Sequence, residues 1–335
     1  MDWLLHANTT GEKLLLMVVA IVLFVVVMGL ILYAVEAMRK APRWVLVLAF
    51  LGPAVIGLAF GLVYPALTTI RASFYDARGS TFIGLDNYVT ALTQGQFQLV
   101  LRNTALWVIV VPLAATGIGL CYAVLVDRTR FEKFAKTLVF LPMAISLVGA
   151  SIIWKFMYDY RPVLEGVPAE NQPAQVGLLN QVLVWLGLEP TQFLLNQPAN
   201  TFFLIAVMVW VQAGFAMTIL SAAITAIPDD IIEAARLDGV GGLRMFRYIT
   251  VPSVRPALIV VLTTIAMATL KVFDIVRTMT GGNFGTQVVA NEFYTQSFRQ
   301  GNAGLGAALA VILFIIVVPI IVYNVIQLRK TEEIR

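Results

Sequence analysis

The sequence predicts an all-α integral membrane protein with about seven transmembrane helices. Two observations of composition and one of pattern carry this. Hydrophobic residues make up 59% of the 335 positions and charged residues only 13%, against about 25% charged in a soluble domain. The mean hydropathy of +0.86 does not fit a water-facing surface. The charges also collect between long apolar runs. That is the pattern expected where lipid is the solvent and each spanning segment must satisfy its own backbone polar groups.

Seven runs approach the roughly 20 apolar residues that a spanning helix needs. They cover residues 14–35, 44–67, 104–126, 137–156, 201–223, 257–276 and 305–328. The first lacks a basic leader, having only Lys13 beside Glu12, and is followed by Glu36, Arg39 and Lys40. It reads as a retained anchor rather than a cleaved signal. The third holds Cys121, the single cysteine, so no intrachain disulfide forms. The fourth and sixth are interrupted near their ends by proline and polar residues.

Seven spans place the two termini on opposite sides. If the link 36–43 is cytoplasmic, fourteen of the 23 Lys and Arg residues lie on that side, including Arg128, Arg236 and Arg335. The bias toward positive charge inside then puts the N-terminus outside and the C-terminus in the cytoplasm. The outer loops are long. Residues 157–200 carry Asp159, Glu165, Glu170 and Glu189 among five prolines, with Arg161 as the one basic residue. Such a loop suits a soluble partner or a solvated connector with short interfacial helices.

Several chemistries are disfavoured. The one histidine is His6, which leaves no Cys/His metal site and no base for a Ser-His-Asp triad. No basic stripe points to nucleic acid. Lys136-Thr137 and Lys330-Thr331 follow Ala135 and Arg329 rather than glycine, so there is no phosphate-binding loop for ATP. Carboxylates are absent from the span interiors, with Asp274 near one end, which weakens an ion-coupled secondary transporter. No acid–base pair appears in the membrane for an enzyme, and no cofactor is implied.

The loop 226–252, between the fifth and sixth spans, is the most informative segment. Pro228 suits the first turn of a helix. Asp229, Asp230 and Glu233 follow near the positive end of its dipole. Ile231, Ile232, Ala235 and Leu237 give an apolar side, and Gly239 stops the helix. A second short helix is expected over 243–249, ended by Pro252. The result is a compact helix–turn–helix that suits docking into a groove of another protein or resting on lipid.

The spacing Glu233-Ala234-Ala235, Asp238-Gly239, Phe246, Ile249 and Pro252 resembles the EAA loop of ABC-importer permeases. A second segment runs Phe273-Asp274, then Thr280-Gly281-Gly282. It is similar to the first permease of the sugar-importer group, and Asn283-Phe284-Gly285 in place of the usual Gly-Pro resembles the maltose/α-glucoside type. The resemblance implies a type I permease core of six helices over residues 44–335, with residues 1–43 as an extra N-terminal helix and link. It implies that Glu233, Ala234, Ala235, Asp238, Gly239 and Phe246 couple to an ATP-binding cassette ATPase dimer in the cytoplasm. It also implies a second homologous permease subunit and an extracytoplasmic sugar-binding protein. The chain itself then lowers no chemical barrier. In that family the substrate contacts flank the coupling loop and follow the Leu-Pro step, here Leu141-Pro142. On that basis Ser146, Gln212, Thr269 and Lys271 are the expected pathway residues. A permease of the same class for a polyol or a glycerol-phosphate-type solute is the alternative.

Overall fold

The computed structural model describes residues 9–37, 42–127, 129–162, 164, 166–168 and 171–332. His6, Arg39, Lys40, Arg128, Glu165, Glu170 and Arg335 lie outside them. The helices are α1 (Thr10–Ala37), α2 (Arg43–Leu58), α3 (Tyr64–Ala72), α4 (Asp86–Thr93), α5 (Gly95–Val126), α6 (Glu132–Phe140), α7 (Leu147–Met157) and α8 (Leu178–Trp185). Then follow α9 (Ala199–Thr225), α10 (Asp229–Leu237), α11 (Gly242–Met245), α12 (Val251–Ser253), α13 (Arg255–Leu270), α14 (Asp274–Met279), α15 (Val289–Tyr294) and α16 (Ala303–Glu332). By its internal contacts the chain divides into residues 1–68 and 69–335.

In the first unit, α1 opens with a reciprocal cap. The Thr9 N–H donates to Glu12 Oε2 at 3.1 Å and the Glu12 N–H to Thr9 Oγ1 at 3.3 Å. No side chain in the hydrophobic stretch of α1 is buried by protein, as expected of a helix solvated by lipid.

In the second unit, α5, α9 and α13 form the core. Trp107 and Val111 of α5 meet Leu204, Met208 and Met217 of α9 and Val261 and Ile265 of α13, all at most 1% exposed. Gly119 sets the closest approach, since a Cβ there would stand 2.6 Å from Ala216 Cβ and 2.7 Å from the Met217 nitrogen. A smaller cluster joins Phe97 and Val100 to Val289, Leu305 and Leu309 at the other end of α5.

Among the described residues, five helices are long and apolar enough to cross a membrane, or seven when two bent pairs are counted as spans. The first bent pair covers the fourth run; the second joins residues 242–253 of the loop to α13, which carries most of the sixth run. The fourth is not one straight helix. Pro142 opens a 3-10 turn, Leu141–Ala144; Ile145 is extended; and α7 leaves at 103° to the helix before the break. Ser146 caps α7, accepting the Gly149 N–H at 3.1 Å. In the sixth, α13 stops at Leu270 and helix resumes at Asp274. Lys271 stands at the negative end of α13 and Asp274 at the positive end of α14, so each charge stabilises the helix end beside it.

Candidate functional site

The α9 helix runs straight into the loop. Ile227 turns inward at 8% exposure, and Pro228, with extended backbone, precedes α10. The far end of α10 closes with a paired hydrogen-bond stop. The Gly239 N–H reaches Arg236 O and the Val240 N–H reaches Ala235 O, both at 3.0 Å. The stop requires Gly239 at φ +76°, a backbone region that a side chain would strain.

The expected apolar side of α10 divides in two. Ala235 is 5% exposed and Ile232 packs on the core, one turn apart on the inner face. Leu237 points away at 89% exposure, and Leu243, across the glycine turn, is 82% exposed. These are the two most exposed large apolar side chains among the described residues. Glu233, Ala234, Asp238 and Gly239 are exposed beside them, and Phe246 is half-buried. A cleft of about 480 Å³ lies behind, lined by Ile227, Pro228, Ile231, Val254 and Pro256.

The second helix of the loop is longer than expected. Helical backbone continues from α11 through a π-helical turn, Phe246–Thr250, to α12, so Pro252 does not end it. The Val251 N–H bonds to Phe246 O, five residues back. This wider turn accommodates the missing N–H of Pro252, which an α-helix tolerates poorly. The chain then bends by 71° into α13.

The four expected pathway residues lie on different elements. Ser146 is exposed as the cap of α7, and Gln212 is half-buried on α9. Thr269 is fully buried, its hydroxyl donating to Ile265 O at 2.7 Å on its own helix. Lys271 is exposed at the break after α13. Between α7 and α9, the rings of Trp154 and Trp210 pack edge to face at 5.6 Å, and Trp154 leans on Tyr158 at 5.3 Å.

At the opposite end of α9 from the loop stands a polar knot that the sequence reading did not find. Asn103 donates to Gly285 O at 2.6 Å and Gln287 O at 3.0 Å, and Asn200 donates to Phe284 O at 2.7 Å. Thr280 and Thr286 share a hydroxyl bond of 2.6 Å. The Glu292 carboxylate, 9% exposed, accepts amide protons from Gln287 and, at 2.6 Å, from Gln296. Asn103 and Asn200 are at most 4% exposed, so these bonds take the place of water. Three glycines of this loop, Gly281, Gly282 and Gly285, have positive φ; so does Phe284, at +55°. The signal for a tight turn was visible in those glycines. The asparagines that hold it were not, because they come from 84 and 182 residues away.

The profile of a family described as "binding-protein-dependent transport system inner membrane component" matches residues 115–330. The osmoprotective compounds uptake permease protein GgtC of Synechocystis sp. is 45% identical over 286 residues, 85% of this chain and 100% of the relative. The alpha-glucoside transport system permease protein AglF of Rhizobium meliloti is 45% identical over 277 residues, 82% of this chain and 80% of the relative. Among solved structures, a chain of a bacterial ABC transporter involved in the import of alginate superposes with a TM-score of 0.72 at 22% identity, over 88% of this chain and 99% of that one, a likeness of fold. The chain therefore belongs to the family of inner membrane components of binding-protein-dependent transport systems.

Proposed function

We propose that this chain is the membrane permease of an ATP-driven importer for an α-glucoside or related oligosaccharide. The observation that carries the solute class is the 45% identity to the alpha-glucoside permease over 82% of the chain. In this reading the loop 226–252 seats in a cytoplasmic ATPase dimer. Glu233, Ala234, Ala235, Asp238, Gly239 and Phe246 form the contact, with Leu237 and Leu243 as its apolar points. The exposure of those two leucines supports it, since a water-facing loop gains nothing by displaying them. A second homologous permease completes the pathway, and an extracytoplasmic binding protein delivers the sugar. The N-terminus lies outside and the C-terminus in the cytoplasm. Residues 1–43 are an addition to the core that begins at residue 44. Ser146, Gln212, Thr269 and Lys271 line the pathway in this reading, with the Thr269 hydroxyl bonded to Ile265 O.

The test is uptake in vesicles holding the full transporter. Removal of residues 233–239 is expected to abolish uptake while the chain stays in the membrane; normal uptake sinks the coupling assignment. The solute is tested on the binding protein that works with this chain, which an α-glucoside is expected to stabilise against heat. The Synechocystis relative favours a second reading, uptake of an osmoprotective solute. Stabilisation by such a solute and by no α-glucoside selects that reading.

A further inference from the structure

A cavity of about 240 Å³ opens between the first turns of α5 and the start of α9, at the end of α9 away from the loop 226–252. Its wall includes Arg102, Leu106, Gln197, Asn200, Phe202 and Gly285. The polar side chains are not equivalent. Asn200 is committed to Phe284 O and Leu194 O. Arg102 is exposed and forms no ion pair among the described residues. No acidic side chain lines the cavity among the described residues. A cation and an amide therefore face it with no carboxylate to neutralise them, and an anion is the complementary ligand.

The surroundings identify the source of that anion. Arg102 heads a stripe of α5 that continues through Leu106, Ile109 and Leu113, spaced by three or four residues. Ile109 and Leu113 are 59% and 60% exposed on a helix long and apolar enough to cross the membrane. Phe202 adds an exposed ring from α9. A cation above an apolar, unburied stripe at one end of a span matches a phosphate head followed by acyl chains.

We propose that this cavity seats the phosphate of an anionic phospholipid, held by Arg102 with Gln197, its chains lying along Leu106 and Phe202. The site borders the polar knot, since Asn200 and Gly285 belong to both. A bound lipid is therefore expected to stiffen the 284–287 segment.

The test is native mass spectrometry of the full chain released from nanodiscs of phosphatidylglycerol or phosphatidylcholine. The wild type is expected to retain phosphatidylglycerol, and Arg102→Gln to retain about fivefold less, the weight of one interfacial arginine. Arg78→Gln, a charge change elsewhere, is expected to leave retention unchanged. Equal retention by wild type and Arg102→Gln overturns the site. To exclude any unfolded Arg102→Gln protein, only the monodisperse fraction is compared, and Arg102→Lys is expected to restore part of the retention. The second arm is thermal unfolding in detergent with inorganic phosphate alone. A shift as large as that given by phosphatidylglycerol, lost in Arg102→Gln, assigns the cavity to a free anion and overturns the lipid.

Discussion

The two ends of α9 solve opposite problems. At one end, the loop 226–252 is folded by its own backbone hydrogen bonds, yet it displays Leu237 and Leu243 almost fully. At the other end, the segment 280–296 displays little and is tied by side chains from α5 and α9. One region is complete as a fold and incomplete as a surface. The other gains its shape only inside the assembled helix bundle. The difference separates a region with an unburied apolar surface from one that fastens the bundle. Mutations should therefore damage function at the first and stability at the second.

The largest effect is expected from the double change Leu237→Ser and Leu243→Ser. Uptake should fall to background while the unfolding temperature of the isolated chain is unchanged. A loss of stability instead would mean the leucines pack within the chain, and the contrast would break. Next comes Asn103→Ala. It strands two carbonyls, each costing about 1–3 kcal/mol when buried without a partner. A clear drop in unfolding temperature is expected, with uptake per folded molecule retained.

A change of Gly239 to Val places a β-branched residue at positive φ, at a cost of about 1–2 kcal/mol. No atom lies within 4 Å of the added Cβ, so the effect is confined to the helix stop. Uptake should fall by several-fold with a small drop in unfolding temperature, because the strain sits at the exposed turn while Ile227 and Ile232 stay packed on the core. The smallest effect is expected from Phe284→Gly, which relieves the +55° backbone. A gain of up to about 1 kcal/mol in stability is the outcome, read by the same thermal scan. A loss would show that the half-exposed ring contributes packing.

Much of the architecture was legible because lipid demands long uninterrupted apolar runs. The five straight spans follow from that demand alone. The bent pairs were harder to read. Pro142 and Pro252 announced trouble, but the 103° corner depends on Ile145 being extended and Ser146 capping the next helix. Proline alone does not specify a corner: Pro112 and Pro319 sit inside continuous helices. The start and stop of α10 were legible because both are local, set at Pro228 and Gly239; the run of helical backbone through Pro252 was not. The polar knot was not legible, because nothing in the flanks of Asn103, Asn200 or Glu292 tells which distant carbonyl or amide each will meet. Thr269 makes the same point from the other side, being a polar residue in a span whose hydroxyl is satisfied by its own helix.

The unbroken length of α9 has a mechanical consequence. Its 27 residues form a rod of about 40 Å. Asn200 sits at one end, under the 284–287 segment, and Ile227 lies just past the other. The close fit at Gly119 against Ala216 gives the rod a bearing about two thirds of the way along it. A tilt of about 5° on that bearing moves the Asn200 end, about 24 Å away, by about 2 Å. Such a step exceeds the rise of one helical residue, enough to shift the carbonyls of the 284–287 segment relative to Asn200.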